Sequence, residues 1–174
     1  MPLAVYDALR GCDLILHAGD LEDPAILEPF RALAPTYAVR GNLHWQYSTG
    51  THDQELPLAL TVALCGRNLW LTHGHFSFAY SVVDKFSGYA ARRRRQGVND
   101  MLVARLQRMR PAAADIVVFG HSHLSTARTI DGVLYFNPGS VASQEERSGE
   151  GPRVGRLALE SDGTVTPSWI DLAR

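Results

Sequence analysis

Residues 120–123 read Gly-His-Ser-His, two imidazoles around one hydroxyl, and they follow the apolar run Ile116-Val117-Val118-Phe119. A β-branched run of that length favours a buried strand, which Gly120 ends, so both histidines are expected at a strand tip. Three other segments repeat the arrangement, each placing a glycine beside a potential metal ligand where a strand runs out: Gly19-Asp20, Gly41-Asn42 and His73-Gly74. Side chains converge on a ligand beyond the carboxyl ends of strands, where backbone pairing stops. Carboxylate, amide oxygen and imidazole make a mixed oxygen and nitrogen donor set, which suits manganese, iron or zinc and not calcium. Glycine next to each ligand removes bulk and permits positive φ. Any one of these dipeptides alone is a common turn; the ordered combination is what points to a site.

The elements that must position these groups follow from pattern. Pro2 to Arg10 reads as a short helix stopped by Gly11, and Asp13 to His17 as a buried strand leading into Ala18-Gly19-Asp20. A second helix is expected from Asp23-Pro24, with Ile26, Leu27, Phe30 and Leu33 on one face and Pro35 as its stop, followed by a strand from Tyr37 to Arg40. Leu56 to Leu64 and Asn68 to Thr72 form a hairpin around Gly66-Arg67, running out at His73-Gly74-His75. Residues 76–98 are the least regular part. Asn99 to Met109 is a helix, and after the strand at 116–119 come Thr126 to Ile130, an Asp131-Gly132 turn, Val133 to Phe136, and two strands around Asp162-Gly163. Alternating strands and helices early, and hairpins late, give a mixed α/β fold of two packed sheets with helices outside.

Composition sets the frame. The 174 residues fit a single domain spanning 1–174, and 45% hydrophobic with 20% charged residues describes a water-soluble globular chain. A net charge of -1 gives no global pull toward nucleic acid or an anionic membrane. No apolar run is long enough for a membrane helix and no signal peptide follows Met1, so a cytoplasmic location is expected. Cys12 and Cys65, far apart and in apolar surroundings, read as buried reduced thiols.

The ordered set Gly-Asp, Gly-Asn, His-Gly-His and Gly-His-Ser-His, followed by Asn137-Pro138-Gly139-Ser140, resembles the calcineurin-like metallophosphoesterase superfamily, in particular its small bacterial and archaeal phosphodiesterase branch. It is similar also to the retromer subunit of the same fold. The likeness runs from about residue 2 to the C-terminus, with an atypical stretch near 76–98. It implies a four-layer α/β/β/α sandwich of two mixed sheets with a two-metal centre, manganese before iron, zinc or nickel. By that likeness Asp20 bridges the ions, Asn42, His73 and His121 complete one position, and His123 belongs to the other. The implied activity is hydrolysis of a small or nucleotide-like phosphoester, most of all a diester, by a metal-activated water.

The departures shape further expectations. Family members open with a strand ending in Asp-x-His; this sequence starts at the helix that follows, leaving Asp20 and His123 for the first ion. A translation start upstream is favoured over a shortened form, and the edges left by a missing strand are expected to pair with another copy of the chain. After Asn42, where many members place a histidine, stand Leu43 and His44. His44 reads either as the general acid or as a solvent-exposed loop residue. His17 reads as a hydrogen-bonded core residue, His75 as either a pocket or a turn residue, and His52 carries no signal. Arg92 to Arg95 read as a solvated helical face or insertion, with phosphate pairing the less favoured alternative; no aromatic interleaving supports nucleic-acid binding. The alternative to an enzyme is a catalytically impaired member of the fold that binds a partner protein.

Overall fold

The computed structural model describes residues 3–21, 24–41, 56–74, 97–142 and 149–172. Its centre is a five-stranded mixed sheet. In chain order the described elements are α1 (Leu3–Leu9), β1 (Ile15–His17), a 3-10 turn (Pro24–Leu27), α2 (Glu28–Arg31), β2 (Thr36–Ala38), β3 (Ala59–Leu64), β4 (Arg67–Thr72), α3 (Gly97–Met109), β5 (Ile116–Phe119), β6 (Thr126–Ile130), β7 (Val133–Asn137), β8 (Arg153–Leu159) and β9 (Val165–Asp171). The central sheet runs β3-β4-β5-β7-β6; β4, β5 and β7 are parallel to one another, and β3 and β6 close its ends as antiparallel hairpin partners. Parallel strands covered on both faces read as unbroken apolar runs. That is why every residue of β5 and β7 is buried.

Period-two alternation sorts these side chains onto two faces. Trp70, Val117, Phe119, Val133 and Tyr135 pack with Leu102, Val103 and Leu106 of α3. Their neighbours Leu69, Leu71, Ile116, Val118, Leu134 and Phe136 face the other way, toward Leu16, Leu157, Leu159, Val165 and Trp169. Those last residues come from two further pairs, the parallel pair β1 and β2 and the antiparallel pair β8 and β9. A third cluster joins Val5, Leu27 and Phe30 to Ile15 and Ala38, setting α1 and α2 against β1 and β2.

Three details differ from the sequence expectation. The expected helix from Asp23 is divided into the 3-10 turn and α2, because Pro29 lacks an N–H and its ring clashes with the carbonyl four residues back. Since α2 ends at Arg31, the helical spacing no longer reaches Leu33, which is 42% exposed and not on the buried face. The first hairpin turns at Cys65-Gly66 and not at Gly66-Arg67; φ of 46° and 72° places both residues in the left-handed region that a type I′ turn needs, and Arg67 pairs with Leu64. Cys65 therefore projects from a turn as an exposed thiol, and the expected burial holds only in part for Cys12. The Asp131-Gly132 turn has the same geometry, with φ of 49° and 77°.

The β8–β9 turn yields a test. The backbone N–H of Thr164 donates to Asp162 Oδ1 at 2.8 Å, and this bond holds the Asp162 carboxyl below its usual value of 3.8. A depressed carboxylate stabilises the fold above its unfolded-state pKa and loses that contribution as pH falls through the folded one. An NMR titration is expected to give an Asp162 midpoint below 3.8, and Asp162→Asn is expected to remove the small acid-side change in hairpin stability. No helix among the described residues is long and apolar enough to cross a membrane.

Candidate metal centre

The parallel order of β4 and β5 brings their carboxyl ends together, so His73 and His121 emerge on one side of the sheet although 48 residues separate them. β1 ends facing them, and its continuation Ala18-Gly19-Asp20 reaches the same point. His73 is the pivot and is almost completely buried, at 1% exposure. Its Nδ1 lies 2.7 Å from the Ala18 carbonyl oxygen. A carbonyl only accepts, so Nδ1 is the donor there and Nε2 is the ring atom turned inward.

That nitrogen meets other polar atoms. His73 Nε2 is 3.4 Å from Asp20 Oδ1 and 3.3 Å from His121 Nδ1, and the two rings stand edge to face at 86°. On its other side Asp20 presents Oδ2 to His123 Nε2 at 3.3 Å. The result is a chain, His121–His73–Asp20–His123, with the carboxylate in the middle and a different oxygen toward each neighbour. Imidazole nitrogens and carboxylate oxygens converging in this way are held by shared protons or by a cation among them, and the Asp20 side chain, 14% exposed, is poorly placed to rely on water. The spacings fit a cation: two donors each about 2.1 Å from a tetrahedral ion stand about 3.4 Å apart. Among the described residues no group of three or more histidine, cysteine, aspartate or glutamate side chains closes into a cage by itself. The contacts run pairwise along the chain instead.

Backbone geometry marks the same residues. Asp20, His121 and His123 have φ of 59°, 70° and 59°. Aspartate and histidine tolerate this region better than most residues, yet it persists only where the surroundings enforce it. The neighbouring glycines show what enforces it. A Cβ on Gly19 would lie 2.5 Å from His73 Nδ1, one on Gly120 would lie 2.7 Å from the Ala18 oxygen, and one on Gly41 would overlap the backbone nitrogen and Oδ1 of Asp20. Only bare backbone lets the segments at Gly19 and Gly120 close on the His73 ring and the segment at Gly41 close on Asp20.

Of the sequence-derived site residues, Asp20, His73, His121 and His123 are thus brought together. Asn42, His44, His75, His52 and Arg92 to Arg95 lie outside the described residues. His17 is half-buried, its Nδ1 accepting from the Gly19 N–H at 3.3 Å, in keeping with a hydrogen-bonded structural residue. Sequence reasoning passed over Asn99, read only as a helix start, and Ser122, read only as the residue between two histidines. Asn99 is 3% exposed and its side-chain amide bonds to the loop that carries both histidines. The signal was available: Asn99 shares the 3.6-residue spacing of Leu102, Val103 and Leu106, which puts an amide on the apolar face of α3.

Comparison with known proteins accords with this geometry. A family model described as the calcineurin-like phosphoesterase superfamily domain matches residues 1–162. A probable metallophosphoesterase of Methanothermobacter thermautotrophicus is 31% identical over 140 residues, covering 80% of this chain and 67% of that protein. The probable metallophosphoesterase YsnB of Bacillus subtilis is 29% identical over 153 residues, covering 88% of this chain and 72% of its own length. Among solved structures, Vps29 of Entamoeba histolytica complexed with zinc superposes with a TM-score of 0.63 at 19% identity, over 98% of this chain and 89% of that one. An archaeal phosphodiesterase gives 0.56 at 18% identity, over 95% and 87%. The solved structures share the mixed α/β fold, and the family model and sequence relatives supply the lineage: this chain belongs to the calcineurin-like phosphoesterase superfamily.

Proposed function

We propose that this chain is a metal-dependent phosphoesterase, a single domain acting on small or nucleotide-like phosphodiesters. In this reading Asp20 is shared between two divalent ions, Asn42, His73 and His121 complete one position, and His123 belongs to the other. The observation that carries it is the two-sided engagement of Asp20, with Oδ1 toward His73 and Oδ2 toward His123. Divalent ions bound there would neutralise phosphoryl charge and activate a water as nucleophile, and the mixed donor set suits manganese.

The chain's own residues do the rest. The Ala18 carbonyl fixes the His73 tautomer, so its coordinating nitrogen needs no reorientation when an ion arrives. His123, whose side chain is 32% exposed against 2% for His73, stands on the open side, where an incoming phosphoester meets the site first. His44 is proposed as the proton donor to the leaving oxygen, since an imidazole titrates near neutral pH.

The test uses the folded chain with bis(p-nitrophenyl) phosphate and p-nitrophenyl phosphate. Diester hydrolysis is expected with manganese, to fall about a hundredfold or more on chelation, and to return when manganese is restored. A folded, manganese-loaded chain that hydrolyses neither ester would favour the second reading, an impaired member of the fold that binds a partner protein. One observation speaks for that alternative: among the described residues no third histidine, cysteine, aspartate or glutamate joins Asp20 and His123 in a group that could hold the first ion.

A further inference from the structure

Ser122 has no part in the metal chemistry above, yet its side chain ties three elements together. Its Oγ donates to Asn99 Oδ1 at 2.7 Å, and accepts from Asn137 Nδ2 at 3.0 Å and from the Leu124 N–H at 3.3 Å. Asn99, on α3, also donates through Nδ2 to the Leu124 carbonyl at 3.1 Å. Asn137, at the end of β7, donates to the Gly120 carbonyl at 2.9 Å and has its own oxygen held by the Gly139 N–H at 3.0 Å. The two asparagines are 3% and 0% exposed. The loop is therefore gripped at residues 120, 122 and 124, and the intervening residues are the two histidines.

The grip has something to hold. The Ser122 N–H donates to the Gly120 carbonyl at 2.9 Å across His121, whose φ is 70°. That is a γ-turn of the rare, positive-φ kind, which is strained, and His123 follows in the left-handed region as well. Released from its anchors, such a loop relaxes, and both imidazoles rotate away from Asp20 and His73.

We propose that Ser122, Asn99 and Asn137 are positioning residues, a buried amide–hydroxyl–amide bracket that presets His121 and His123 for metal binding. The inference rests on the metal-site reading above. It predicts that affinity for the ion depends on the Ser122 hydroxyl itself and not on bulk at that position. Threonine and valine have nearly the same shape and differ in the hydroxyl, so any packing disturbance falls equally on both variants.

Manganese binding by calorimetry, with thermal unfolding in chelator as the structural control, is the experiment. Ser122→Thr is expected to bind within about threefold of the parent and Ser122→Val about tenfold to a hundredfold more weakly, with both variants folded in chelator at the temperature of the titration. Equal affinity of the two variants would overturn the proposal. Asn99→Leu, which lies outside the loop, provides a second route and is expected to show a similar loss; parental affinity there would equally overturn it. His121→Ala separates the two levels of inference. If it abolishes binding while Ser122→Val does not, the bracket fails and the site stands; if it binds like the parent, or the parent takes up no manganese, both fail.

Discussion

Asp20→Asn is expected to reduce manganese-dependent diester hydrolysis by about three orders of magnitude, about 4 kcal/mol of transition-state stabilisation. The substitution keeps the shape of the side chain, and asparagine tolerates the φ of 59° at this position where alanine would add strain. What it removes is symmetry. A carboxylate offers lone pairs from both oxygens, one toward His73 and one toward His123, whereas an amide offers one oxygen and turns an NH2 group to the other side. An amide cannot present one oxygen to each of two cations on opposite sides of the side chain. Steady-state kinetics with bis(p-nitrophenyl) phosphate at saturating manganese would show the loss in kcat and not only in KM. Turnover within about tenfold of the parent would mean that Asp20 is not shared between ions.

The second large effect comes from a residue with no side chain. Gly41→Ala is expected to cost about 2–3 kcal/mol of stability, a fall in Tm of about 5–10 °C for a chain of this size. The added methyl would overlap the backbone nitrogen of Asp20 and lie 2.7 Å from its Cα. Neither atom belongs to a flexible side-chain end that might swing aside. The loop after β2 and the loop after β1 must therefore separate, and Asp20 moves away from His73, so metal affinity falls with stability. Calorimetric unfolding with and without manganese tests both parts. A variant that unfolds within about 1 °C of the parent would show that the two loops are not packed in this way.

Much of the fold was legible because its centre obeys simple rules. β5 and β7 are buried on both faces, so they stand out as continuous apolar runs, and the Asp131-Gly132 pair names its own turn. The convergence of Asp20, His73, His121 and His123 was legible too, since a glycine beside a polar residue at a strand end is unusual when repeated in order. The less legible features depend on contacts distant in sequence. Nothing near Cys65 says whether a hairpin will turn at 65–66 or 66–67; the pairing of Leu64 with Arg67 decides it, and with it the exposure of the thiol. Pro29 was a readable warning that the second helix would divide. The bracket around Ser122 joins residues 99, 122 and 137, three elements whose proximity only the order β5-β7 in the sheet and the packing of α3 reveal.

The most direct measurement is metal content per chain by plasma mass spectrometry, after loading with manganese and removing the excess, in the parent and in His121→Ala. Retention of at least one ion by the parent, and its loss in the variant, is the expected result, with a content near two meaning that both positions flanking Asp20 are filled. A folded parent that retains none, or a variant that retains as much as the parent, would contradict a metal centre at Asp20, His73, His121 and His123.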